Sequence, residues 1–303
     1  MISVSRTVLA MVPVFAAAAA LPLPGKGQGE LKEVRQIERI EGAELRFGLF
    51  LDGKFVGSDM LRPSLGELER GGDREMIRRR GDDHLSLNFG FRMDEKFYDW
   101  IADNMKRPRQ CKLGLAAYGK NLTEQARMEF SNALLTELTL PAVAADAKKP
   151  TAFIAKFQFG ASERKPPSGG KMPQGFAVQK KWLPCNFRLS IANLPMKSVS
   201  GVEPLAIRAQ TPTPGKIEYP NLTFYLPEAE LKGWPVKWEG PEFDATKSEG
   251  FHNRAVKYTL FLPDGTPMRA EVNAKSAGAK GKKAKGGMVR VELRLKDLSL
   301  KFD

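Results

Sequence analysis

Apolar and polar residues alternate with a period of two along most of the chain beyond residue 44. Leu45, Phe47, Leu49 and Leu51 point one way, with Arg46, Gly48 and Phe50 between them. The same alternation runs through Leu85, Leu87, Phe89 and Phe91, through Phe153, Ala155, Phe157 and Phe159, and through Phe187, Leu189 and Ile191. It returns at Val256, Tyr258, Leu260 and Leu262 and again at Val289, Val291, Leu293 and Leu295. That period is the mark of strands with one buried face. In the last run the phase slips, because Leu298, Leu300 and Phe302 fall together; a bulge near Lys296-Asp297 is expected. Asp52-Gly53 and Asp264-Gly265 read as tight turns, where Gly accepts a positive φ.

One stretch changes period. Phe97, Trp100, Ile101 and Met105 fall on one face of a helix, and Asp94 stands where an N-cap is needed. Trp234 and Trp238 occupy the corresponding part of the second half, but Pro235 and Gly240 argue against a long helix there.

The pattern is written twice. Opening strands at Phe47 and Phe187, hairpins at Leu113 and Tyr258, and closing strands at Phe153 and Val291 recur in one order at offsets of 140, 145 and 138. This predicts two copies of one domain of ordinary size. The expected organisation is a lead-in over 21–43, a first domain over 44–160, a linker over 161–181 rich in Pro, Gly and Lys, and a second domain over 182–303. Frequent strands and few helices point to a mainly β fold, a barrel or sandwich with at most one short helix per copy. Residues 66–83, mostly polar, read as a mobile loop.

Composition changes the picture in three places. Arg6, an apolar run from Val8 to Ala20 and Ala18-Ala19-Ala20 predict an export signal over residues 1–20, hence a periplasmic, surface or extracellular protein, or a cytoplasmic one if the start is misassigned. Lys and Arg number 48 against 35 Asp and Glu, a formal charge of +13, which favours acidic partners. The excess is densest in residues 275–287, read as an inserted basic loop. There Lys275, Lys280, Lys282, Lys283 and Lys285 are candidate contacts for an anionic cell-envelope polymer, although a solvated loop with nothing to bury is the plainer reading. Cys111 and Cys185 could pair in an oxidising compartment, but they are too few for a disulfide framework, and two unpaired buried thiols are the plainer expectation.

Lys216-Ile-Glu-Tyr-Pro-Asn-Leu-Thr223 and Phe97-Tyr-Asp-Trp-Ile101 resemble, in turn, the segment that precedes the helix and the helix start of phage tail tube proteins. Ala126-Arg-Met-Glu-Phe-Ser-Asn-Ala133 is similar to that family's strand ending in Phe-x-Asn-Ala. Tyr258 to Ala270 looks like the hairpin of tube and baseplate proteins of contractile injection systems. The resemblance implies two tandem tail-tube-like β-barrels and a non-enzymatic structural role. It further implies a homo-oligomer, a ring or pseudo-hexamer of fewer chains. An exported sandwich that binds an anionic cell-surface polymer is the alternative.

Catalytic patterns are sparse. Neither His84 nor His252 has a His or Cys at ligand spacing, and no Gly-x-Ser-x-Gly, His-Glu-x-x-His or phosphate-binding loop occurs. No cofactor or small-molecule substrate is expected.

Overall fold

The structure is a computed structural model describing residues 46–58, 63–65, 84–91, 93–148, 151–173, 185–208, 220–261 and 269–302. The export signal, the lead-in, the 66–83 loop and the Asp264-Gly265 turn lie outside the described residues.

The chain is mainly β and forms two antiparallel sheets, one of which curls into a half-barrel. The first half supplies β1 (Arg46–Leu51), β2 (Lys54–Ser58), β3 (Pro63–Leu65), β4 (His84–Phe89), helix α1 (Glu95–Lys106), β5 (Cys111–Tyr118), β6 (Glu124–Leu140), β7 (Val143–Ala144), β8 (Phe153–Gln158) and β9 (Ala161–Lys165). The second supplies β10 (Phe187–Ile191), β11 (Gly201–Val202), β12 (Leu205–Arg208), β13 (Asn221–Pro227), β14 (Glu242–Asp244), β15 (His252–Phe261), β16 (Arg269–Lys283) and β17 (Met288–Phe302).

The main strand orders are β2-β1-β5-β6-β8-β4-β3 and β10-β15-β16-β17-β13-β11-β7. From β1 onward and from β10 onward they run in parallel: β1 matches β10, β5 matches β15, β6 matches β16, β8 matches β17, β4 matches β13 and β3 matches β11. Register refines the offsets. Leu51 pairs with Leu113 as Ile191 pairs with Val256, so Leu113 corresponds to Val256 rather than to Tyr258. Leu87 pairs with Ala155 as Phe224 pairs with Val291, which matches Val291 to Ala155 rather than to Phe153.

Alternation became burial as the pattern required. Leu49, Leu85, Leu87, Phe89, Phe153, Ala155, Phe157, Val291 and Leu293 are all buried. The phase slip in β17 is a bulge: Asn273 pairs with Ser299 and Lys275 with Lys296, and Asp297 takes φ 51°. In α1, Asp94 accepts a hydrogen bond from the Lys96 N–H at 2.9 Å, and Phe97, Ile101 and Met105 are buried. Tyr98, not on the predicted stripe, is buried too. Its hydroxyl donates to the Gly90 carbonyl at 2.7 Å and accepts from the Met93 N–H at 2.9 Å, so burial leaves no polar group unmet. In the second half a 3-10 turn, Glu228–Gly233, stands where the first has α1.

Two expectations are corrected. Residues 161–165 are not linker but β9, paired with β6. Beyond it the Ser168 N–H and hydroxyl both donate to the buried Glu124 carboxylate, which also holds Arg127, and Met172 packs on Ala116 and Tyr118. The segment is fastened because it covers an apolar patch and satisfies a buried charge. Nor are residues 275–287 a loop. Lys275 through Lys283 continue β16, with β17 on one side and β15 and then β14 on the other, and only residues 285–287 turn.

The halves are not separate bodies with separate cores. One continuous apolar cluster runs from Leu49 to Leu300.

Candidate functional site

The seam between the two halves is built from strand edges that each half lends to the other. β12 of the second half pairs with β6 of the first, from Leu205 opposite Leu140 to Arg208 opposite Glu137. Two residues before β12, β11 pairs with β7, the short strand that follows β6. Leu205 and Ile207 turn into the core, while Ala206 and Arg208 face out. A third contact comes from α1, which lies against β17: Tyr98 and Phe302 rings sit 4.8 Å apart, and Phe153 meets Phe302 at 6.1 Å. The bulge at Asp297 re-aims the end of β17 toward this helix.

Charge reinforces the seam. Glu137 receives Lys156 at 2.9 Å and Arg208 at 3.5 Å. Burial pushes the Glu137 carboxyl upward, but these cations outweigh it and hold the group below its ordinary value. Between β11 and β12, Glu203 takes a forked pair from Arg290 at 2.8 and 3.1 Å and a hydrogen bond from the Tyr225 hydroxyl at 2.6 Å. The Arg290 guanidinium holds the Glu203 carboxyl below its usual range, and the carboxylate in turn raises the Tyr225 phenol. The excursion carrying β12 is thereby pinned to β13 and β17.

The lysines singled out from the sequence lie elsewhere, along the outer side of β16. Four of the five meet carboxylates of their own chain: Lys275 with Asp297 at 3.2 Å, Lys280 with Asp244 at 3.4 Å, Lys282 with Glu242 at 2.9 Å and Lys283 with Glu228 at 2.7 Å. Lys283 also lies 5.3 Å from the Trp238 ring. Lys285, on the turn, makes no ion pair among the described residues. Lys280 and Lys282 border a surface cleft of about 340 Å³ with Arg290, facing Glu239, Glu242, Asp244 and Glu292. The cleft thus carries four carboxylates against three cations, an unfavourable balance for a polyanion.

Both cysteines are free thiols. Cys111 is buried and its pKa is pushed up to about 12 by desolvation and by Asp52. Cys185 is half-buried, contrary to expectation. His84 opens β4 and His252 opens β15, in strands that do not correspond. Among the described residues no group of three His, Cys, Asp or Glu side chains could hold a metal ion. No helix there is long and apolar enough to cross a membrane.

Sequence reasoning missed Glu137, Glu203, Arg208 and Arg290. Each is a polar residue on the outward phase of a strand or beside one, and that position carries no mark of its partner.

No protein-family profile matches the chain. Among curated proteins it is similar to one described as chaperone protein DnaK from Endomicrobium trichonymphae, 30% identical over 139 residues. The match takes in 42% of this chain and 22% of that protein, so the chain spans about a fifth of the relative's length.

Proposed function

We propose that this chain is a non-enzymatic structural protein of the tail-tube kind, which associates with copies of itself into rings through the margins of its sheets. The observation that carries the reading is the seam. Two copies of one strand order are joined within the chain by β12 on β6 and β11 on β7. A fold that joins copy to copy by edge pairing inside one chain has the chemistry to do so between chains, since edge N–H and C=O groups are templates for further strands. With two fold units per chain, a ring of six units needs only three chains. The short motifs in β6 and the β15–β16 hairpin that resemble tube proteins lie in strands that correspond between the halves, and the one in α1 lies where the second half has a 3-10 turn.

Negative-stain images of the purified chain test the reading. Rings or stacked tubes are the expected outcome; isolated particles of single-chain size would refute it. Binding to an anionic glycan or polyphosphate that fades with salt and is lost on neutralising Lys275, Lys280, Lys282, Lys283 and Lys285 would favour the polymer-binding alternative instead.

A further inference from the structure

The two halves differ at one sheet margin. In the first, the chain leaves β1 through Asp52-Gly53 and returns as β2, with Leu51 opposite Lys54 and Phe50 opposite Phe55. In the second, the chain leaves β10 through a similar turn, in which the Leu194 N–H donates to the Ile191 carbonyl at 3.1 Å and Asn193 takes φ 60°. No return strand follows among the described residues. Pro195 stands where Phe55 stands in the first half, and without an N–H it cannot join a ladder. The arm is drawn away instead: the Pro195 carbonyl accepts from the Trp234 indole at 3.3 Å, and the Lys197 N–H donates to Glu230 at 2.9 Å. The slot that β2 fills beside β1 is therefore empty beside β10 among the described residues.

The orientation of the vacant groups follows from the β10–β15 ladder. The Phe261 N–H donates to the Asn186 carbonyl and the Ala192 N–H to the Ala255 carbonyl. Even-numbered residues of β10 thus bond β15, and the N–H and C=O of Phe187, Leu189 and Ile191 point outward. On the solvent face of this margin lie Arg188 and Ser190, and beside them on β15 is Phe261, the large apolar side chain that is exposed among the described residues.

We propose that β10 pairs antiparallel with β10 of a second copy, about a two-fold axis at Leu189, so that the eight-stranded sheet runs on into its partner. In this register Leu189 faces Leu189, and Phe187 faces Ile191. Arg188 of each copy falls opposite Ser190 of the other, so no like charges meet. The N–H groups of Leu189 and Ile191 find the free carbonyls of Leu189 and Phe187 across the axis. Alternatives such as a foreign strand or a head-to-tail contact would not place residue 188 opposite residue 190. The margin is short, so the contact is of low affinity by itself. The inference rests on the self-association reading and names one of its surfaces: being two-fold, it joins chains or whole rings in pairs, and closure of a ring takes a second, head-to-tail surface.

Sedimentation of the full chain up to about 100 µM, a range that covers weak complexes, tests it. The wild type is expected to reach a reversible dimer or multiples of one. Ser190→Glu, placed opposite Arg188 of the second copy, is expected to tighten the contact. Arg188→Glu with Ser190→Glu sets like charges opposite and is expected to loosen it, each by about two- to thirtyfold for two symmetric pairs. Thermal melting of each variant monitors the fold. In a Cys185→Ser background, Arg188→Cys with Ser190→Cys is expected to form an intermolecular disulfide on mild oxidation, and either change alone is not. Association that ignores all these substitutions overturns the two-fold contact and leaves self-association standing; a wild type that stays monomeric overturns both.

Discussion

Two buried tyrosines in the core differ in what their hydroxyls do. Tyr98 bonds both the Gly90 carbonyl and the Met93 N–H, whereas the Tyr258 hydroxyl has no partner among the described residues. Tyr98→Phe is expected to cost about 1–3 kcal/mol, because it strands two buried backbone groups, while Tyr258→Phe is expected to be near neutral or stabilising. Denaturant midpoints of the two variants check the contrast. Glu124 gives a pH dependence of known sign. Its hydrogen bonds with Arg127 hold the carboxyl below its ordinary 4.5, so its contribution is present above that value and lost as pH falls through the lower folded value. Acid titration of stability should therefore be flatter in Glu124→Gln than in the wild type. For the thiols, Cys111 should resist alkylation at pH 8 in the native state and Cys185 should react. Tyr98 and Glu124 were not legible in the sequence. Helical spacing singles out one face, and α1 packs on two; a Glu in an alternating strand reads as solvent-facing until the strap carrying Ser168 covers it.

The elements with a full apolar phase were read correctly, from β1 through β17, because each strand carried its own buried residues. β16 was missed beyond Lys275 for the opposite reason. Its inward positions are Ser276, Ala279 and Gly281, small residues whose apolar cover comes from other elements. The Phe243 ring lies over Gly281, and Ser276 bonds the Phe251 carbonyl. A run of Lys, Gly and Ala reads as loop when the aromatics that complete it stand some 25 to 40 residues away, as Phe251 and Phe243 do. A Cβ on Gly281 would come within 1.9 Å of that ring, which Trp238 holds from its edge at 5.2 Å. Gly281→Val is expected to cost about 1–3 kcal/mol by overpacking, measured by chemical denaturation. β12 was not legible either, since four residues with two apolar positions match many edges.

At the scale of the molecule, three features repeat in order along the sequence, and the strand orders of the two sheets run through a matching series of elements. The merging of the cores was not legible, because nothing in a repeat says which margin its neighbour will occupy. A continuous core has a thermodynamic consequence. Ile207→Ala, at the seam, is expected to remove about 2–5 kcal/mol and to lower the whole unfolding transition, seen by fluorescence and by circular dichroism alike. Two separated transitions, only one of them shifted, would mean that the halves fold independently. The central claim is that edge pairing of the kind that joins the halves within the chain also joins chain to chain, through a margin left open. The most direct measurement is the solution mass of the full chain by multi-angle light scattering across a concentration series. The account predicts a mass that rises to a multiple of 33.6 kDa; a value fixed at the single-chain mass at every concentration would contradict it.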